Sequence, residues 1–235
     1  MRLPWQTATP ALNLALQGGG AHGAFTWGVL DALLEDGQLA FDGVSGTSAG
    51  AMNAVVLAQG LMDDGREGAR AALRRFWTAV AGSLPFEVAV PRADGSGYQL
   101  APAMRLMLQW THHFTPEQLN PFDLNPLRDV LRQQLDIEAL RRRSPVRLFI
   151  ATTEANTGRL RLFRNADLSL DAVLASACLP RLHRSVVIDG QPHWDGGYAA
   201  NPAVYPLVLD TATFDTLLVM LTPLRYAATP QSAQE

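Results

Sequence analysis

The chain predicts an α/β fold, with helices layered on both faces of a mainly parallel central sheet (α/β/α). Short β-leaning runs alternate with longer runs at helical spacing, as crossover units require. Two glycine-rich turns also fall where such a strand ends and a helix begins, where α/β sheets gather their chemistry. The first strand is read over 12–17 (LNLALQ), which passes from alternating to fully apolar. A helix follows over 24–36, with Phe25, Val29, Leu30, Leu33 and Leu34 at helical spacing. Residues 41–45 form the next strand, then helices over 49–60 (AGAMNAVVLAQG) and 67–81 (EGARAALRRFWTAVA). Further strands are read at 146–152 and 160–163, with a late buried strand at 217–221. Asp189-Gly190, flanked by Val186-Val187-Ile188 and Pro192-His193-Trp194, is a hairpin signal.

At 235 residues, with 48% apolar and 17% charged side chains, the chain suits one globular domain with an ample core. All 19 basic residues are arginine, and the net charge of −3 argues against broad nucleic-acid binding. The one basic cluster, Arg141-Arg142-Arg143 with Arg147, reads as a solvated helix end, with anionic lipid as the other reading. Cys178 is the sole cysteine, so no internal disulfide or cysteine-rich metal site is expected. No signal-peptide pattern opens the chain and no run of about 18 apolar residues occurs. The expected setting is reducing and cytoplasmic, with peripheral contact to a lipid surface as a further expectation.

Three motifs carry chemistry. Gly46-Thr47-Ser48-Ala49-Gly50 places a serine between two glycines at a strand-to-helix junction, the arrangement of a nucleophile elbow. Small neighbours let the backbone turn sharply, and the hydroxyl then stands near the positive end of the following helix. Gly18-Gly19-Gly20-Ala21-His22-Gly23 feeds a helix and leaves several N–H groups pointing into one concavity. That suits either a phosphate or the oxyanion of acyl transfer. A P-loop is excluded by the missing Gly-Lys-Ser/Thr ending. A dinucleotide site is disfavoured because Asp42, at about the right distance, opens the serine-elbow strand instead of closing one. Trp194-Asp195-Gly196-Gly197, followed by Asn201-Pro202, ends the hairpin; in isolation Asp195 would be read as an Asx-turn residue.

Taken in order, GGGAHG at 18–23, GTSAG at 46–50 and DGG at 195–197 resemble the patatin-like phospholipase family. Ala175-Ser176-Ala177-Cys178-Leu179-Pro180 is similar to that family's A-S-x-A-x-P segment, and the resemblance runs from about residue 12 to 222. It implies a serine acyl hydrolase that cleaves esters of phospholipids or other lipids without metal or organic cofactor. Ser48 would be the nucleophile and Asp195 its base partner, with an acyl-enzyme between two half-reactions. Oxyanion donors are expected among Gly18, Gly19, Gly20, Ala21 and Ala49. The family often has Arg or Lys where this loop has His22, so His22 reads as a weaker, pH-tuned positive charge that binds substrate, or as a histidine packed beside the loop.

Other readings compete. A Ser–His–Asp triad could use His183 or His193, both downstream of Ser48. The acyl group could pass to an acceptor other than water, or the glycine loop could grip a lipid or phosphate with no turnover. Residues 1–11 are an N-terminal extension. Residues 84–125 are a loosely patterned region whose segment 103–110 (AMRLMLQW) is first an ordinary core helix and second an apolar cap over the site. Residues 223–235 form a tail resembling the opening of a truncated helix. Adjacent His112 and His113 face different ways on a helix, so no metal is expected there.

Overall fold

The computed structural model describes residues 10–83, 89–92, 98–110 and 113–221. The tail expected over 223–235, most of the N-terminal extension, the 94–97 loop and His112 lie outside them. Strand β1 (Ala11–Leu16) leads into helix α1 (Gly23–Asp36), then β2 (Ala40–Thr47) and α2 (Ala49–Ser83). Within α2 the helical geometry breaks at Asp64 and Gly65 (φ +58°), which separates the two helices read from the sequence. A small hairpin of β3 (Ala89–Pro91) and β4 (Tyr98–Leu100) precedes α3 (Pro102–Trp110), α4 (Pro116–Leu119), α5 (Pro126–Gln134) and α6 (Ile137–Arg143). Then come β5 (Arg147–Glu154), β6 (Leu160–Arg164), α7 (Leu170–Ser176), β7 (Val186–Ile188), β8 (Gln191–Asp195), α8 (Tyr205–Leu209) and β9 (Thr216–Val219).

Seven of these strands form one sheet, ordered β7-β8-β5-β2-β1-β9 with β6 also paired to β5. The β9-β1-β2-β5 half is parallel, whereas β6, β7 and β8 run antiparallel to their neighbours. Strand alternation sorts the core onto two faces. Leu14, Leu16, Leu148 and Ile150 pack with buried residues of α1, α2, α5, α6 and α7. On the opposite face Ala15, Phe149 and Ala151 meet a smaller cluster with Leu207 of α8. The expected layers are present, but the second is thin.

The β1–β2 register slips between Leu12 and Leu14, and the fully buried Asn13 fills the irregularity. Its carbonyl accepts the Gly43 N–H at 2.9 Å, while its amide reaches Leu207 O, Thr211 Oγ1 and Thr213 O within 3.0 Å. A polar side chain at a strand's core position is thereby satisfied, as burial demands.

Two sequence expectations need correction. The segment read as a core helix is α3, yet Leu106 and Trp110 are 55% and 51% exposed. Helical periodicity marks an apolar face without saying what covers it. The late strand, expected to be buried, is β9; Leu217 and Leu218 are exposed and only Val219 is buried. It terminates the sheet, with β1 as its only partner strand among the described residues.

Candidate active site

The GTSAG turn has the backbone that its composition implies. β2 ends at Thr47, Ser48 takes φ +54°, and α2 starts at Ala49. A left-handed conformation at a non-glycine residue is strained, and such strain collects at functional sites. The flanking glycines are required by crowding. A Cβ on Gly46 would stand 2.5 Å from the Gly50 carbonyl oxygen, and one on Gly50 would strike the Leu16 carbonyl. The ladders to both neighbouring strands have ended by this point, with Gly46 opposite Leu16 and Thr47 opposite Ala151. The Ser48 N–H instead donates to the hydroxyl of Ser176 at 2.9 Å.

Asp195 reaches this elbow by way of β5. On one edge, β5 pairs with β6 across Phe149–Thr153. Thr152 and Thr153 also pair with Asp195 and Trp194. A strand has two edges, so β8 must occupy the same edge as β2, beginning where β2 stops. Thr47 and Asp195 therefore sit opposite consecutive residues of β5, Ala151 and Thr152, although 148 positions separate them in sequence. Gly196 makes the approach possible, since a Cβ there would collide with the Ala151 carbonyl. The Asp195 N–H donates to Cys178 O at 2.8 Å, and its carbonyl accepts the Thr153 hydroxyl at 2.9 Å.

The Asp195 side chain is 5% exposed, and its Oδ1 accepts the Gly197 N–H at 2.8 Å. Burial raises its pKa above the usual aspartate value. The Gly197 N–H, a hydrogen bond with Ser48 and the charge of His183 each oppose that rise without cancelling it. A carboxylate kept more basic than usual beside a serine hydroxyl is equipped to take a proton from it.

The glycine loop lies against the elbow. A Cβ on Gly18 would be 2.8 Å from the Ser48 Cβ and 2.9 Å from Thr47 O. Gly19 and Gly20 have φ of +151° and +58°, conformations that favour glycine. One expectation changes: the Gly18 N–H is taken by Asn201 Oδ1 at 2.7 Å, so it is not directed at a substrate. Gly19, Gly20, Ala21 and His22 are exposed. Ala49, in the first turn of α2, has an N–H with no intrahelical acceptor. His22 bends over the loop, with its Nδ1 3.2 Å from Gly19 O. Beneath the loop, Asn53 donates to Gly23 O and Ala49 O and accepts the Trp77 indole N–H, tying the starts of α1 and α2 together.

Neither downstream histidine hydrogen-bonds Ser48 among the described contacts. His193 is buried with its Nδ1 3.0 Å from Thr152 Oγ1, and the His183 Nδ1 accepts the Leu179 N–H at 3.3 Å. Burial lowers the pKa of both. Cys178 is buried, and desolvation pushes its thiol up to about 11. Among the described residues no three His, Cys, Asp or Glu side chains converge as a metal site, and no helix is long and apolar enough to cross a membrane. The sequence alone assigns no role to Ser176, Asn201, Asn53 or Trp77. Ser176 lies in the A-S-x-A-x-P segment and Asn201 just past the DGG turn, whereas the only signal at Asn53 is a polar residue in an apolar helix.

A search of curated proteins finds no significant match. Among solved structures, VipD from Legionella pneumophila aligns with 16% identity and a TM-score of 0.41, over 81% of this chain and 46% of VipD, so the chain spans less than half of that protein. The family model described as patatin-like phospholipase matches residues 14–208. That span contains the glycine loop, the serine elbow and the DGG turn, and the chain belongs to the patatin-like phospholipase family.

Proposed function

We propose that the chain hydrolyses carboxylic esters of phospholipids or related lipids through a Ser48–Asp195 dyad. The observation that carries the reading is the strained Ser48 elbow abutting a buried, abnormally basic Asp195 at one edge of β5. In the first half-reaction the Ser48 hydroxyl oxygen bonds to the ester carbonyl carbon while Asp195 accepts its proton. The tetrahedral intermediate collapses, the ester C–O bond breaks, and the proton passes to the departing alcohol. Water then attacks the acyl-enzyme, gives a proton to Asp195, and releases the acid as Ser48 regains its hydrogen. The N–H groups of Gly19, Gly20, Ala21 and Ala49 are the oxyanion donors in this scheme, each worth about 100- to 1000-fold in rate. Gly18 shapes the loop, and His22 faces the substrate's polar end.

Exposed apolar side chains adjacent in sequence to the site's motifs support a lipid. Phe25 in the first turn of α1, Leu179 next to Cys178, and Tyr198 just past the DGG turn are all exposed within a few residues of the site. Exposed aromatic and aliphatic groups around a polar centre suit acyl chains or a lipid surface.

The test is labelling with a fluorophosphonate, read by intact mass, alongside release of fatty acid from phospholipid vesicles. The expected result is one adduct on wild type, none on Ser48→Ala, little on Asp195→Asn, and matching losses of hydrolysis. No adduct and no turnover on folded wild type, with lipid still bound, would establish a binding module instead. Labelling with acyl product found only on an added alcohol or thiol would establish a transferase.

A further inference from the structure

We infer that the segment closing α7, Ser176 to Cys178, is a brace that sets the dyad's geometry, with Ser176 as a positioning residue for the nucleophile. The inference rests on the dyad reading above and assigns the support that reading needs. Ser48 is the first residue of the elbow for which both neighbouring ladders have run out, because β1 pairs no further than Gly46 and the β5 edge beyond Ala151 belongs to β8. A left-handed residue there has no strand to receive its N–H. The Ser176 hydroxyl, fully buried, supplies the acceptor at 2.9 Å. Two residues on, Cys178 O accepts the Asp195 N–H at 2.8 Å. One short stretch thus grips the main chain of both dyad members, although they come from different strands.

The brace is itself anchored. Ser169 caps the start of α7 by accepting the Ala172 N–H, and Ala172, Val173, Leu174 and Ala175 are all buried. At its other end, the Cys178 thiol donates to Arg184 O. Rigid support of this kind is what holds reacting groups to sub-ångström tolerance. Without the Ser176 acceptor, a part-buried N–H loses its partner and the strained turn loses the contact that offsets its strain.

Ser176→Ala and Ser176→Cys test this together. Cysteine preserves the shape of serine but is a poor acceptor, so a hydrogen-bonding role predicts that both variants fall and a space-filling role predicts that cysteine does not. With folding checked by thermal melting, kcat on a soluble p-nitrophenyl ester is expected to drop about 10- to 100-fold in both, with KM within about 2-fold. Fluorophosphonate labelling should slow in parallel. Amide hydrogen exchange across 45–52 should quicken in both, a readout that needs no activity. Exchange unchanged from wild type, or wild-type labelling rates in both variants, overturns the brace. Ser48→Ala retaining full hydrolysis overturns the dyad reading, and the exchange result then still decides whether Ser176 holds the turn.

Discussion

Placing a methyl group on Gly18 perturbs the contact between glycine loop and elbow without replacing any side chain that takes part in the proposed chemistry. The added Cβ would stand 2.8 Å from the Ser48 Cβ and 2.9 Å from Thr47 O. Carbon contacts are comfortable at about 3.5–4.0 Å, so one of the two segments must retreat by roughly 0.7 Å or more. The Gly18 φ needs no glycine, so the effect is steric and not conformational. Displacement on this scale at a reacting centre costs up to about 100-fold, equivalent to about 2.7 kcal/mol of barrier. The assay is kcat/KM of Gly18→Ala on a p-nitrophenyl ester, with the fluorophosphonate labelling rate beside it. Gly28→Ala is the control: apart from its chain neighbours and the helix's own backbone, nothing lies within 4 Å of its Cβ position, and it sits mid-helix in α1. That variant should keep wild-type activity and gain about 0.5–1 kcal/mol of stability. If Gly18→Ala retains activity within about 3-fold of Gly28→Ala, the loop does not need its observed closeness to Ser48, and the oxyanion assignment loses its geometric support.

Asp195 should show a trade between function and stability. Its folded pKa is raised by burial, so the ionised carboxylate costs stability above that raised value. The cost vanishes below the unfolded value, where the group is neutral in both states. Asp195→Asn should therefore melt at or above the wild-type temperature at about pH 8 and lose that advantage by about pH 3, while wild-type kcat/KM rises with pH through the Asp195 ionisation. A variant that melts well below wild type at pH 8 would contradict the desolvation argument. Asn13→Ala should destabilise strongly with no direct effect on chemistry. Its amide has two hydrogens for three nearby acceptors, so about three hydrogen bonds are lost in all and the buried Gly43 N–H is orphaned. Urea unfolding should register roughly 3–5 kcal/mol, and a loss under about 1 kcal/mol would show that the irregularity repacks.

The parts of this protein legible in its sequence are those that depend on local backbone. The Gly46–Gly50 elbow could be read because crowding at a strand-to-helix turn restricts composition at the turn itself, and the structure puts Ser48 at φ +54° there. The alternation of strand and helix was legible for the same reason, since period and punctuation are short-range signals. The break between the two helices of α2, at Asp64 and Gly65, lies between the helical patterns of 49–60 and 67–81. What covers a periodic face is a long-range matter, and here α3 and β9 departed from expectation. Gly18 illustrates the limit within a motif: its place in the loop was legible, but the Asn201 side chain that takes its N–H comes from 183 residues away.

The sequence by itself determined which residues can bend, which can form strands, and which few carry nucleophilic or basic groups. The tertiary structure alone decided that β8 follows β2 along one edge of β5, which brings Ser48 to Asp195 and leaves the end of α7 to hold them both. Strand order arises from how whole faces are buried against one another, and no stretch of a few residues contains that information.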